Sequence, residues 1–230
     1  MMAATWLTSS RRSSVHHEAL RLREYRHLLP CSVLDPATQS AETLYSVEIR
    51  DNIAVLRLVS DDGTNRLTRA RVLAITAAVE DLATRGLSRL LITGNAHFFS
   101  AGADLNEIAE IHGAEAFRFA QMGQRLMNAV ANFPAPTTAA VHGYCMGGGL
   151  DLALACSRRI AGPHAIFGHR GAALGLITGW GGTQRLPRIV GKARALKMFV
   201  AADKLHAREA LGYGLVEAIA EDPLAAALTD

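Results

Sequence analysis

Three consecutive glycines followed closely by a carboxylate are the residues of this sequence best suited to chemistry. In the stretch VHGYCMGGGLDLALACS, Gly147, Gly148 and Gly149 separate a strand-like run from a helix-like run, and Asp151 stands two residues beyond the last glycine. A helix beginning here has free backbone N–H groups and the positive end of its dipole at its first turn. Such a start can bind an anion or stabilise an oxyanion formed during a reaction. A tight, closely packed turn explains the same pattern without chemistry.

A second loop, FFSAGADL, repeats this arrangement of small residues between a strand and a helix. Ser100, Ala101, Gly102 and Ala103 leave the backbone N–H groups unobstructed, and Asp104 is predicted in the first turn of the following helix, where an acid suits the dipole. Two such loops that face each other provide two N–H donors, the usual number in an oxyanion hole.

The elements that must hold these loops alternate between strands and helices, which places the chain in the α/β class. Two alternating runs, Leu44–Ile49 and Ile53–Leu58, predict a hairpin. Apolar residues at spacings of three and four predict helices over 67–84 and 114–132, and another helix is predicted over 148–157. Short strands are predicted at Ser88–Gly94 and Thr137–Gly143, and a last strand at Leu215–Ala220.

Composition excludes several classes of function. Half of the 230 residues are hydrophobic and the net charge is only +3, with no basic patch interleaved with aromatic residues, so we expect no nucleic-acid partner. Cys31, Cys145 and Cys156 have no CxxC spacing, which argues against a zinc site or a disulfide framework and fits a reducing compartment. No apolar run approaches the length that spans a membrane.

Residues 1–43 differ from the rest of the chain. Met1–His17 contains no acidic residue, Glu18–Leu29 is basic and amphipathic, and Pro30 and Pro36 indicate a linker. We expect a poorly ordered N-terminal extension on a cytoplasmic protein. A transit peptide, and with it a mitochondrial location, is the alternative.

Three motifs together resemble the enoyl-CoA hydratase/isomerase, or crotonase, superfamily over Leu44–Ala220. They are FFSAGADLNEI, AAVHGYCMGGGLDLALACSRRIAG and IFGHRGAALGLITGWGGTQRLPRIVGKARA. The resemblance implies a crotonase-like spiral of repeated ββα units over residues 44–220, assembled as a homotrimer or a dimer of trimers. Residues 221–230 would be a short tail without most of the family's terminal helices. The implied ligand is an acyl-CoA thioester, in which coenzyme A is part of the substrate, with no metal and no separate cofactor.

The resemblance also implies which residues bind the thioester. The backbone N–H groups of Ala101 and Gly148 would hold its oxygen, and the main chain of Ala101, Gly102, Ala103 and Asp104 would line the coenzyme A site. Two donors of this kind stabilise the negative charge that an enolate places on that oxygen.

The catalytic carboxylates depart from the family pattern, in which hydratases use two glutamates. Asp151 stands at the first position, and it is either an acid/base group or a first-turn acid that suits the helix dipole. At the second position the sequence reads Phe-Gly-His-Arg-Gly, so Gly171 replaces the carboxylate. His169 is either a substitute acid/base group or a structural histidine. Dihydroxynaphthoyl-CoA synthases of the same superfamily also have glycine at this point, and bound bicarbonate stands in for their carboxylate. This resemblance implies that bicarbonate could occupy a space left by Gly171.

The sequence thus predicts an acyl-CoA-processing enzyme that stabilises a thioester enolate. Two alternatives stay open because the second glutamate is absent. One is a non-catalytic subunit that binds coenzyme A thioesters, and the other is a different crotonase-type reaction, whether bicarbonate-assisted, hydrolytic or decarboxylating.

Overall fold

Two sheets with helices packed between and around them make up the part of the chain that the computed structural model describes, residues 43–229. The strands are β1 Tyr45–Arg50, β2 Ile53–Leu58, β3 Arg89–Thr93, β4 Phe98–Ser100, β5 Thr137–Val141, β6 Tyr144–Met146, β7 Arg158–Ala161, β8 Ile166–Gly168, β9 Lys204–His206 and β10 Ala218–Ile219. The helices are α1 Arg69–Leu82, α2 Leu105–Ala109, α3 Ala114–Ala131, α4 Gly148–Ala155, α5 Gly182–Val190, α6 Lys192–Val200, α7 Ala207–Gly212 and α8 Pro223–Thr229. The predictions made for residues 1–42 lie outside the described residues.

From β3 to β8, consecutive strands belong alternately to the two sheets. The first sheet has the order β1-β2-β3-β5-β7-β10, and the second has the order β4-β6-β8-β9. All neighbouring strands are parallel except β1 with β2 and β8 with β9. From β3 to β8, each pair of consecutive strands therefore adds one strand to each sheet before a helix follows, which confirms the predicted α/β class with repeated ββα units.

The hairpin and the long helices are confirmed close to their predicted bounds. Asp51 and Asn52 join β1 to β2 with φ values of 49° and 65°, as a two-residue turn of type I′ requires. The predicted last strand is shorter, because only two of its residues pair with β7. No helix within residues 43–229 is long and apolar enough to cross a membrane.

The segment predicted as a short C-terminal tail contains a helix. Residues Pro223–Thr229 form α8, in which Ala227 is buried and its carbonyl accepts a hydrogen bond of 3.1 Å from Arg89 Nη1. This helix therefore covers part of the first sheet.

Three strand ends at one edge of the second sheet determine where chemistry can occur. Strands β4, β6 and β8 run parallel, with Ser100 paired to Cys145 and Met146 paired to Gly168. Because parallel neighbours end at the same edge, the loops that follow them lie side by side. The two small-residue loops are two of these three, and the segment that begins at His169 is the third.

A buried arginine holds the far end of α4. Arg159 donates through Nε to Leu215 O at 2.6 Å and through Nη1 to Cys156 O at 2.8 Å, and it pairs with the Glu217 carboxylate. Its side chain is 5% exposed, so water cannot take over the hydrogen bonds that Arg159 donates to these two carbonyls. Arg159 thereby joins the C-terminus of α4 to the segment that leads into β10.

We expect Arg159→Leu to lower the free energy of unfolding by roughly 3 kcal/mol, because it leaves two buried carbonyls without their donor and removes the ion pair with Glu217. Urea unfolding followed by circular dichroism measures the change. Arg50→Leu is the matched control, since Arg50 pairs with Glu48 on the surface and its loss should leave stability unchanged. Equal effects of the two variants would contradict the structural role of Arg159.

Candidate active site

A cavity of about 910 Å³ opens at the shared edge of β4, β6 and β8. Its floor is formed by the three loops, and Asp151 and His169 contribute the acidic and imidazole groups. Apolar side chains from α2, α3, α6 and the segment before α5 form most of its wall, including Leu105, Ile108, Phe119, Leu174, Leu176, Ile177, Trp180, Leu196, Phe199 and Val200. The cavity therefore combines a few polar groups with a largely apolar wall, as is usual for small-molecule sites.

The two small-residue loops touch so closely that they require glycine. A Cβ at Gly102, whose φ is +97°, would lie 2.6 Å from Met146 O and 3.2 Å from Gly148 N. A Cβ at Gly148 would lie 2.6 Å from Trp180 Cζ3 and 3.3 Å from Ala103 N. Side chains at these two positions would force the loops apart, so the glycines bring the backbone of one loop against that of the other.

The N–H group of Ala101 is not free, and the prediction that it acts as a donor to a ligand is wrong. It donates a hydrogen bond of 2.9 Å to Thr64 O, in the loop before α1. The next N–H group, that of Gly102, is also occupied, because it donates to Ser100 Oγ at 3.1 Å.

The free amide of this loop belongs to Ala103. Leu67 N donates to Gly102 O at 2.8 Å, and the peptide that joins Gly102 to Ala103 is trans, so the Ala103 N–H points away from Leu67. No group within residues 43–229 accepts a hydrogen bond from Ala103 N. The same is true of Gly148 N, the first residue of α4, whose N–H has no acceptor within its own helix. Ala103 and Gly148 thus present two unpaired amides at adjoining positions of the cavity floor.

Asp151 lies on the first turn of α4, where its side chain is 1% exposed. Thr178 Oγ1 donates a hydrogen bond to Asp151 Oδ2. The other oxygen, Oδ1, lies 3.2 Å from His169 Nε2, but the two atoms are not aligned for a hydrogen bond, and neither has another partner among the described residues. Because a buried polar atom without a hydrogen bond costs free energy, this pair is suited to a further polar group or a proton in transit.

His169 is buried and packs against the ring of Phe199. It is the first residue after β8 and is 4% exposed, and its ring lies 5.1 Å from that of Phe199. The sequence left its role open, and the structure brings it together with Asp151 in the cavity.

Gly182 provides the room for this pair. It is the first residue of α5, and a Cβ there would lie 2.1 Å from Asp151 Oδ1 and 2.9 Å from His169 Nε2. The backbone of α5 therefore packs directly on the carboxylate and the imidazole.

Gly171 lines the cavity but does not leave the predicted space for bicarbonate. It begins a 3₁₀ helix, and a Cβ there would lie 2.7 Å from Leu176 O. Leu176 N in turn donates to Gly171 O at 2.8 Å. The prediction of a free space at the missing side chain is wrong, because the backbone of Leu176 occupies this position.

Asp104 lies one residue before α2 and caps it, rather than standing in its first turn. Its Oδ1 accepts hydrogen bonds from Asn106 N at 2.8 Å and Glu107 N at 3.2 Å, and Oδ2 lies 3.5 Å from Arg66 Nη1. Its carboxylate is committed to these groups and does not line the cavity, whereas Ala101, Gly102 and Ala103 do.

Sequence reasoning missed two features of this site. Thr178 lies within the third motif, but nothing in the motif marks its hydroxyl, and its bond to Asp151 depends on a contact between residues 27 positions apart. The free amide of Ala103 depends on Thr64 and Leu67, which belong to a different loop.

Comparison with known proteins gives a consistent result. The sequence profile described as enoyl-CoA hydratase/isomerase matches residues 48–227. A Bacillus subtilis protein named "probable enoyl-CoA hydratase" is 38% identical over 179 residues, which are 77% of this chain and 69% of that protein. The structure of Pseudomonas aeruginosa DspI superposes with a TM-score of 0.78 at 33% identity, over 85% of this chain and 76% of that one. An enoyl-CoA hydratase from Bacillus anthracis superposes with a TM-score of 0.74 at 32% identity, over 77% and 70% of the two chains.

We expect Gly182→Ala to lower the free energy of unfolding by about 1–3 kcal/mol, because the new methyl group overlaps Asp151 and His169. Alanine has a higher helix propensity than glycine, so the substitution alone should stabilise a helix. A loss of stability would therefore come from the overlap of the methyl group with Asp151 and His169. Gly212→Ala, at the end of α7 with no atom near its Cβ, is the control and should be neutral or stabilising. Thermal and urea unfolding of the two variants check this, and a stable Gly182→Ala protein would contradict the packing described.

Proposed function

The chain belongs to the enoyl-CoA hydratase/isomerase family, and we propose that it adds water across the double bond of a 2-enoyl-CoA thioester. One observation carries the proposal. Two unpaired amides, of Ala103 and Gly148, and a buried pair of proton-transfer groups, Asp151 and His169, converge on one cavity with an apolar wall.

The two amides are proposed to bind the thioester oxygen. Addition of water to C3 pushes electrons through the double bond onto that oxygen, so negative charge develops where Ala103 N–H and Gly148 N–H point. Gly148 also lies at the N-terminus of α4, and the helix dipole adds to the stabilisation. One such donor contributes roughly 3–4 kcal/mol to lowering a barrier of this kind.

Asp151 and His169 are proposed to move the proton. The oxygen of water bonds to C3 while one of its protons passes to Asp151 Oδ1. The adjacent His169 Nε2 is close enough to share this proton. The enolate then collapses as the pair returns a proton to C2, so that water is added and both residues regain their starting state. Hydratases of the family use two glutamates here. In this chain Asp151 stands at the first position, and His169, two residues before Gly171, is proposed to serve in place of the second.

The remaining wall supports an apolar acyl group on the substrate. Side chains from α3 and α6, among them Phe119 and Phe199, surround the space beyond the two amides. The main chain of Ala101, Gly102 and Ala103, with Asp104 at its end, is proposed to lie along coenzyme A. The homotrimer or dimer of trimers, and a cytoplasmic or mitochondrial location, stay predictions from the family resemblance and the N-terminal sequence.

The hydration of crotonyl-CoA tests the proposal, and the loss of the enoyl absorbance monitors this reaction. We expect turnover by the wild type and a fall in kcat of about 10²–10⁴-fold in Asp151→Asn, because the amide cannot accept the proton from water. Asp222→Asn is the matched control, since Asp222 caps α8 far from the cavity and asparagine caps equally well.

Other outcomes would overturn parts of this proposal. Full activity of Asp151→Asn would remove that residue from the mechanism. Binding of crotonyl-CoA without turnover would favour a non-catalytic subunit, and release of free coenzyme A thiol would favour hydrolysis of the thioester.

A further inference from the structure

We propose that Thr178 is a positioning residue that fixes the carboxylate of Asp151, so that Oδ1 and not Oδ2 exchanges a proton with the substrate. The inference rests on the proposed function. It concerns a residue in the segment between the 3₁₀ helix and α5.

The hydroxyl of Thr178 accepts one hydrogen bond and donates another. Trp180 N donates to Thr178 Oγ1 at 3.3 Å, and Oγ1 donates to Asp151 Oδ2. A hydroxyl has a single proton, so the proton of Thr178 is committed to Asp151.

This direction favours one carboxylate oxygen as the proton acceptor. Because Oδ2 already accepts the proton of Thr178, Oδ1 is the oxygen left without a partner to take up a proton. That oxygen is buried, has no hydrogen-bond partner among residues 43–229 and lies 3.2 Å from His169 Nε2. Thr178 therefore directs proton transfer to the atom that faces the imidazole.

Packing holds Thr178 in the orientation that makes this bond. A Cβ at Gly182 would lie 2.8 Å from Thr178 Cγ2 and 2.1 Å from Asp151 Oδ1, so the methyl group and the carboxylate rest against the same backbone position of α5. A β-branched side chain has few rotamers, and a methyl group packed there restricts the hydroxyl further.

The same segment also anchors the wall behind the second amide. Trp180 Nε1 donates to Phe119 O at 3.2 Å, and the indole packs where side chains at Gly148 and Gly123 would otherwise lie. The peptide that carries Trp180 N thus links the position of Thr178 to the side of the cavity where the unpaired Gly148 N lies.

Three variants of the full-length protein separate positioning from a merely structural role. We expect Thr178→Val, which keeps the shape but loses the hydroxyl, to lower kcat for crotonyl-CoA by roughly 10- to 100-fold while KM stays within about twofold. Thr178→Ser should restore kcat to within about threefold of the wild type. Thr183→Val, at a threonine on α5 that does not line the cavity, should behave as the wild type.

Retention of kcat in Thr178→Val, or failure of Thr178→Ser to restore it, would overturn the inference. Crystal structures of the wild type and Thr178→Val give a readout that needs no turnover. We expect the wild type to show the bond from Oγ1 to Oδ2, and the variant to show the carboxylate rotated about its Cβ–Cγ bond. An unrotated carboxylate in the variant would refute positioning by Thr178, whereas a wild type without activity would refute only the proposed function.

Discussion

The close approach of two backbone loops is the constraint on which the rest of the site depends. At Gly102 and Gly148 there is no space for a side chain, since the first faces Met146 O and the second faces the Trp180 ring. The parallel pairing of β4 with β6 brings the loops to the same edge, and the glycines let them come into contact. Two unpaired amides, those of Ala103 and Gly148, are thereby placed together at the cavity floor, which is the arrangement that the proposed oxyanion hole needs.

At the proposed acid/base pair, packing keeps two polar groups without a hydrogen bond instead of exposing backbone amides. Asp151 and His169 are buried beside one another without an aligned hydrogen bond, which is unfavourable for folding. Their neighbours keep them there, because Thr178 holds one carboxylate oxygen and the backbone at Gly182 leaves room for the other. Such a local cost in stability is common where a group must stay available for proton transfer.

Much of the architecture could be predicted from local patterns. The hairpin, the long helices and the two small-residue loops follow from alternation, apolar spacing and glycine, which act over a few residues. Strands β4, β6 and β9 could not be predicted, because each has three residues and is defined by its pairing with other strands.

The errors within the site have the same origin. Which amide is free depends on Thr64, which accepts from Ala101, and on Leu67, which donates to Gly102 O. The space at Gly171 depends on the carbonyl of Leu176. The contacts with Thr64 and Leu67 join residues that are far apart in the sequence. A motif assigns a role to a residue by its position, but it does not show whether the hydrogen-bonding group of that residue already has a partner elsewhere in the chain.

Exchange of a single backbone amide for an ester tests the central claim most directly. Lactic acid in place of Ala103 keeps the side chain and replaces the N–H by oxygen, and we expect kcat/KM for crotonyl-CoA to fall by about 10²–10³-fold. Lactic acid in place of Ala101 removes only the donor to Thr64 O, so catalysis should stay near the wild-type rate. A large loss at Ala101 together with wild-type activity at Ala103 would contradict the account.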